Sequence, residues 1–265
     1  KLDFTVDVFD KKTTDILARI NVPGQVGNLS GPITNLYSMS NKGFEIGASH
    51  RNSIREFTYT LGANIAYVDN NVDFLDGDIQ FETNRFGNIS VIKEGFPVNS
   101  WYLYESLGLF QTVAEVENSA FQHAKTSPGD IKYRDFNEDG VIDINDMRVM
   151  GRSVPKYTYS FNLNFDYKGF DLGALFQGVQ GIDIYPWHNV SWPVYNGAGI
   201  TKEHFANYWT PENTDAKYPR MSLYKRGSGI NSLNSTFWLK DASYLRLKNL
   251  QLGYTLPTEL SNKIN

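Results

Sequence analysis

The stretch Tyr157–Tyr167 alternates without a break. Its odd positions are Tyr157, Tyr159, Phe161, Leu163, Phe165 and Tyr167; its even positions are Thr158, Ser160, Asn162, Asn164 and Asp166. Only a β-strand, whose successive side chains point to opposite faces, turns that order into one apolar and one polar face. Lys168-Gly169 then reads as a two-residue turn. Across it Tyr167 pairs with Phe170, and Phe170, Leu172, Ala174 and Phe176 continue the apolar face, with Asp171, Gly173 and Gln177 on the other. Phe57–Tyr67 alternates equally well and is long enough for the ~9–11 residues with which a tilted strand crosses a bilayer.

The same reading along the rest of the chain gives seven strands. Leu2, Phe4, Val6 and Val8 mark the first, Asp10–Thr14 reads as a polar turn, and Asp15–Asn21 is a second strand stopped by Pro23 and Gly24. Val22–Lys42, rich in Gly, Pro, Ser and Asn, reads as a loop. A third strand carries Phe44, Ile46 and Ala48, and Asn52–Arg55 links it to the fourth at Phe57. Tyr244–Leu256 is the last. Its apolar phase shifts near Lys248-Asn249, which predicts a bulge. Short links at 10–14, 52–55 and 168–169 alternate with long ones at 22–42, 70–155 and 186–234. A compact soluble domain seldom contains a structureless link as long as 70–155. An outer-membrane barrel does, because its turns are short on one side of the membrane and its loops long on the other.

Composition narrows the class further. There is no cysteine, so neither disulfides nor thiolate metal sites arise. The net charge of −4 argues against a nucleic-acid surface. No apolar run approaches the ~18 residues of a spanning helix, and Lys1 opens no signal peptide. Aromatic residues make up 14% of a chain that is only 41% hydrophobic. That balance suits a lipid-facing barrel wall with aromatic girdles, although composition alone leaves a soluble all-β domain equally open.

Asp135, Asn137, Asp139, Gly140, Val141, Asp143 and Asp146 occupy positions 1, 3, 5, 6, 7, 9 and 12 of a calcium loop of the EF-hand kind. Side-chain oxygens at 1, 3, 5, 9 and 12, with the Val141 carbonyl, are the ligand set of a hard divalent cation, and Gly140 allows the sharp turn. The expectation is a structural calcium site without an EF-hand fold, since neither flank has room for a long helix. Asp146 stands where Glu is usual, with a shorter arm. An Asp/Asn/Gly-rich turn that binds nothing is the simpler reading of the same residues.

The segments GDIKYRDFNEDGVIDINDMRVMG, PKYTYSFNLNFDYKGFDLGALFQGVQGIDIY and FWLKDASYLRLKNLQLGYTLP occur in that order. The chain thereby resembles the C-terminal part of the β-barrel of SusC/RagA-type TonB-dependent outer-membrane transporters. DVFDKKTTDILARI and NKGFEIGASHRN are similar to earlier barrel strands of that family. The fold expected is all-β: an antiparallel up-and-down transmembrane β-barrel segment with long extracellular loops. Residues 1–265 are expected to form one domain of a partial barrel, with a plug before residue 1 and further strands after Asn265. The resemblance implies a place in the outer membrane of a Gram-negative bacterium. It also implies import of an oligosaccharide or peptide, together with a SusD-like surface lipoprotein and energised by the TonB complex through parts N-terminal to this chain. Apolar strand faces would meet membrane lipid and polar faces the lumen.

Catalysis is not expected. His50, His123, His188 and His204 show no metal-ligand spacing, and no nucleophile elbow, P-loop or dinucleotide fingerprint occurs. Trp187, Trp192 and Trp209, all in the long link 186–234, are candidates for contact with substrate or partner through ring stacking, or else loop core. The alternative to a transporter is a soluble, calcium-stabilised β-domain that binds glycan at the cell surface.

Overall fold

The computed structural model describes residues 1–20, 31–81, 89–186, 192–193, 199–221 and 230–257. Three long strands open the chain: β1 (Leu2–Arg19), β2 (Ile33–Ile54) and β3 (Phe57–Leu75). Six short ones follow: β4 (Gln80–Phe81), β5 (Ser90–Ile92), β6 (Ser100–Leu103), β7 (Ser106–Leu109), β8 (Ile131–Tyr133) and β9 (Arg148–Val149). The one-turn helix α1 (Val113–Glu117) lies among them, capped by the Thr112 side chain. Then come β10 (Tyr157–Tyr167), β11 (Phe170–Gln180), β12 (Asp183–Ile184), the short helix α2 (Lys202–Ala206), β13 (Lys240–Asp241) and β14 (Tyr244–Tyr254).

The long strands form one open, antiparallel, six-stranded sheet in the order β1-β2-β3-β10-β11-β14. Neighbours in the sheet are neighbours in sequence, apart from the short strands inserted between them. Two tight turns close one end. Lys168 (φ 48°) and Gly169 (φ 84°) make the left-handed pair that a type I′ hairpin needs, and Arg55 (φ 56°) turns β2 into β3. Lys168 Nζ lies 3.3 Å from Glu56 Oε2 and joins the two turns.

The predicted faces hold through every register. Tyr67, Tyr157 and Phe44 share a row at one end of the apolar face; Phe57, Tyr167, Phe170 and Tyr254 share a row at the other. Phe44 stacks on Tyr67 with centroids 5.5 Å apart, and the Phe170 and Tyr254 rings lie 4.4 Å apart. Between these aromatic rows run Ile46, Ile65, Phe161, Phe176, Leu163, Leu172, Leu247 and Leu250. The ten steps from Tyr157 to Tyr167 span about 34 Å of strand, or about 26 Å at a barrel-like tilt of ~40°. The bulge predicted in the last strand is present. Leu175 pairs with Asn249 and Phe176 with Leu247, so Lys248 is the extra residue.

Two features of the sequence reading change. Asp10–Thr14 is not a turn: Asp10, Lys11, Lys12 and Thr13 pair in register with Lys42, Asn41, Ser40 and Met39. A bulge follows between Thr13 and Ile16, with Asp15 at φ 57°. The sheet therefore has six strands rather than seven, and the alternation of long and short links begins at the link between β1 and β2. Residues 33–42, read as loop, are likewise strand, as are 68–75. These stretches lie past the Phe44–Tyr67 row, where apolar residues such as Leu36 and Val72 pack under the adjoining segment and do not repeat at every second position. Their composition therefore resembles that of a turn, without the strict alternation of the sheet's apolar face. Asn70 Nδ2 donates to Asn41 Oδ1 (2.8 Å) and Ser40 Oγ to Asp73 Oδ1 (2.8 Å), so side chains support the extension.

The packed core lies outside the sheet's apolar face. The larger buried cluster joins Ile89, Leu103, Ile131, Tyr133 and Ile142 from the segment between β3 and β10 to Tyr185, Trp192, Tyr218 and Trp238 from the segment between β11 and β14. A smaller one, Leu36, Val72, Leu75 and Ile92, seats the first segment on the extended ends of β2 and β3. The supposedly irregular stretch 70–155 is thus half of a folded head.

Candidate functional site: the acidic turn and the loop head

Asp135–Asp146 forms a tight turn shaped by its own carboxylates. Asp135 accepts from the backbone N–H of Glu138 (2.7 Å) and Gly140 (2.8 Å). Asp139 Oδ1 accepts from the Val141 N–H (2.9 Å), and its Oδ2 from Asn137 Nδ2 (2.7 Å). Gly140 takes φ 83°, the left-handed conformation its place in the pattern requires. Asp143 caps the short 3-10 turn Ile144–Asp146 by accepting from the Asn145 N–H (2.7 Å). Asp146 is fully buried, and its two oxygens accept from the N–H of Phe136 and Asp143, both at 2.8 Å. It closes the turn from inside.

The turn is docked on the head. Phe121 N–H donates to the Gly140 carbonyl (2.7 Å), Ile142 N–H donates to the Phe121 carbonyl (2.9 Å), and Ile142 enters the larger core. The donor set is that of a hard, oxygen-ligated cation, with Asp135, Asn137, Asp139 and Asp143 on one small turn. Among the described residues, however, no three Asp, Glu, His or Cys side chains converge as a ready-made metal cage.

A second buried carboxylate of the head is Asp130, 1% exposed. Arg220 grips it in bidentate fashion, Nε to Oδ1 at 2.8 Å and Nη2 to Oδ2 at 3.1 Å. Asn231 Nδ2 adds 2.8 Å to Oδ1, and the Ser127 N–H 2.9 Å to Oδ2. Asn231 also accepts from the Ile131 N–H through Oδ1 (2.8 Å). Three separate stretches of chain meet at one carboxylate. A buried charge is tolerable only when so fully satisfied.

The tryptophans divide. Trp192 lies in the larger core. Trp209 is 8% exposed, and its Nε1 donates to Gln111 Oε1 (3.0 Å) across the two segments. Both therefore pack within the head rather than present a ring to solvent. Trp187 lies outside the described residues. Sequence reasoning passed over Trp238, buried with Nε1 donating to the Asn231 carbonyl (3.0 Å), and Trp101, whose Nε1 donates to the Asp183 carbonyl (3.0 Å). Nothing local marks either, since each partner is supplied from elsewhere in the chain. Burial pushes the Tyr133 and Tyr185 phenols well above their ordinary range. The hydrogen bond from Lys217 holds the Glu203 carboxyl below its usual range.

Comparison with known proteins follows the same lines. No family model matches the sequence. The chain is 30% identical over 270 residues to TonB-dependent receptor P3 of Formosa agariphila, covering 99% of this chain and 26% of that protein. It is 25% identical over 263 residues to TonB-dependent receptor SusC of Bacteroides thetaiotaomicron, covering 94% of this chain and 24% of that protein. Among solved structures, the RagAB peptide transporter superposes with a TM-score of 0.74 at 23% identity, over 98% of this chain and 27% of that one, a likeness of fold. The chain spans about a quarter of the length of the relatives it matches. With this sheet and this alternation, the chain is similar, over nearly its whole length, to about a quarter of the length of TonB-dependent receptors of the Gram-negative outer membrane, SusC among them.

Proposed function

We propose that this chain is part of the wall and the extracellular rim of an outer-membrane importer. The observation that carries the proposal is the exposed apolar face of the six-stranded sheet, whose aromatic rows lie about 34 Å apart along β10; at the ~40° tilt of a membrane barrel that is about 26 Å, close to its ~25 Å apolar band. In a soluble β-domain that face would have to be covered, yet Phe161 and Leu250 are 41% and 61% exposed, and neither buried cluster lies on it. On this reading a plug precedes residue 1, further strands follow Asn265, and β1 and β14 pair onward to close the barrel. The role is uptake of an oligosaccharide or peptide with a SusD-like lipoprotein, driven by TonB; RagAB is described as a peptide transporter, and SusC as a TonB-dependent receptor. The segment would do no chemistry on its cargo. Trp187 remains the candidate aromatic contact, since Trp192 and Trp209 are committed to packing.

Uptake of labelled oligosaccharides and peptides by cells carrying the full-length protein tests this. Accumulation should require both this protein and TonB, and a surface lipoprotein should co-purify with it. Recovery of the full-length protein in the soluble fraction would overturn the proposal.

For the acidic turn, calcium held by Asp135, Asn137, Asp139, Asp143 and the Val141 carbonyl, with Asp146 shaping the loop, would gather carboxylates that otherwise repel. Its role would be structural. Calcium added to metal-freed protein should release heat and raise the melting temperature of the head. Absence of both at millimolar calcium would remove the cation from the proposal.

A further inference from the structure

The two long segments, 89–156 and the described parts of 181–243, share every layer of their packing. The larger core takes five buried residues from the first and four from the second. At their roots, Asp183 N–H donates to the Arg152 carbonyl (2.8 Å) and Arg152 N–H to Asp183 Oδ2 (3.0 Å). Midway, Tyr104 bridges Ser235, and the Ser106 N–H donates to Thr236 Oγ1 (2.9 Å). At the far side, Arg220 N–H donates to the Gly129 carbonyl (2.8 Å), while its guanidinium closes on Asp130. A Cβ at Gly129 would stand 2.4 Å from the Trp209 ring, so that ring packs directly on the Gly129 backbone.

From this we infer that the two segments form one cooperative body, latched by Arg220 and Asn231 on Asp130, and that in a working cycle they move together or not at all. The physical basis is asymmetric. Separating the segments strands a buried carboxylate and opens a shared core, whereas moving the body as a whole breaks neither. Contacts of this kind have two states, packed or lost, and little between. If the importer opens to load cargo, this head then takes part only as one unit, either moving whole or standing still. That consequence rests on the import reading; the cooperative body does not.

Hydrogen exchange on the full-length protein separates the two. Peptides covering 129–133, 216–220 and 235–239 should exchange slowly and at a common rate. Arg220→Ala should speed exchange in all three by roughly 10²-fold or more, the scale expected when one partner of a buried ion pair is removed. Acceleration confined to 216–220, with 129–133 and 235–239 unchanged, would overturn the inference. Should that variant fail to fold, Ser106→Cys with Thr236→Cys gives a second test in a segment with no native cysteine. Oxidation with diamide should close the cross-link and leave uptake at the level of the reduced form. Uptake lost on oxidation and regained with a reductant would mean that the segments do part, and would overturn it. A reduced double variant that folds but takes up nothing would count against the import reading, and exchange would still decide the inference.

Discussion

The wall and the head are built by opposite rules from one chain. In the wall, apolar side chains point outward and stay exposed: Val8 is 81% and Leu252 77% exposed, while Thr60 and Asn164 hold the other face. In the head, apolar side chains point inward: Leu103, Ile131 and Phe110 are fully buried, and Trp238 is 1% exposed. The wall is stabilised by backbone pairing and by side-chain ladders along its rows; the head by burial and a satisfied internal charge. If the proposed membrane setting holds, exposed hydrophobicity here is a statement about solvent: a face that would aggregate in water is stable against hydrocarbon, and the same residue types form core where water is the surroundings.

That contrast can be broken or sharpened by substitution. The largest effect is expected in the head. Trp238→Ala should cost about 3–5 kcal/mol of head stability by removing its largest fully buried side chain, seen as loss of slow exchange around Ile131 and Tyr133. The wall should be barely affected; a collapse of both would mean that they are one folding unit. Next in size, Phe161→Arg should cost about 2–4 kcal/mol of insertion stability if Phe161 faces the bilayer interior, whereas Asn162→Arg should cost far less. Equal costs would remove lipid from the outward face.

An Asp146→Ala variant should follow at about 1–3 kcal/mol, because the N–H groups of Phe136 and Asp143 lose their buried acceptor. If the turn holds calcium as proposed, its affinity, measured by calorimetry, should fall as well. The smallest effect concerns pH. Tyr133 and Tyr185 are held neutral by burial, so their folded values lie above the ordinary 10.0. The stability they contribute is complete below about pH 10 and is lost as pH rises through their raised values. Thermal melts in alkaline buffer should therefore weaken the head above pH 10 and leave strand pairing in the wall intact.

How legible each region was follows from the range of its interactions. Strict alternation in Phe57–Tyr67 and Tyr157–Tyr167 announced strand, face and turn, because a strand's faces are set by period alone. The Lys248 bulge was legible for the same reason, as a slip in phase. The ends of β1 and β2 were not, since a polar strand such as Asp10–Thr13 beside Ser40–Lys42 has the composition of a turn until its partners are known. In the acidic turn, spacing placed Asp135, Asn137, Asp139 and Gly140 together, but not the burial of Asp146.

The sequence by itself determined the class of fold, the two faces of the sheet and the hairpin at Lys168-Gly169 from residues within a few positions of one another, and the resemblance to outer-membrane transporters from the order of several segments along the chain. Only the tertiary structure decided that two long segments make a single head, that Trp192 and Trp209 are core, and that Asp130 is the latch. Asp130 and Arg220 lie 90 residues apart, and Asp130 and Asn231 lie 101 apart. No local pattern encodes such a pair, because an Asp that will be buried and an Arg that will reach it look like any surface charges until the chain has brought them together.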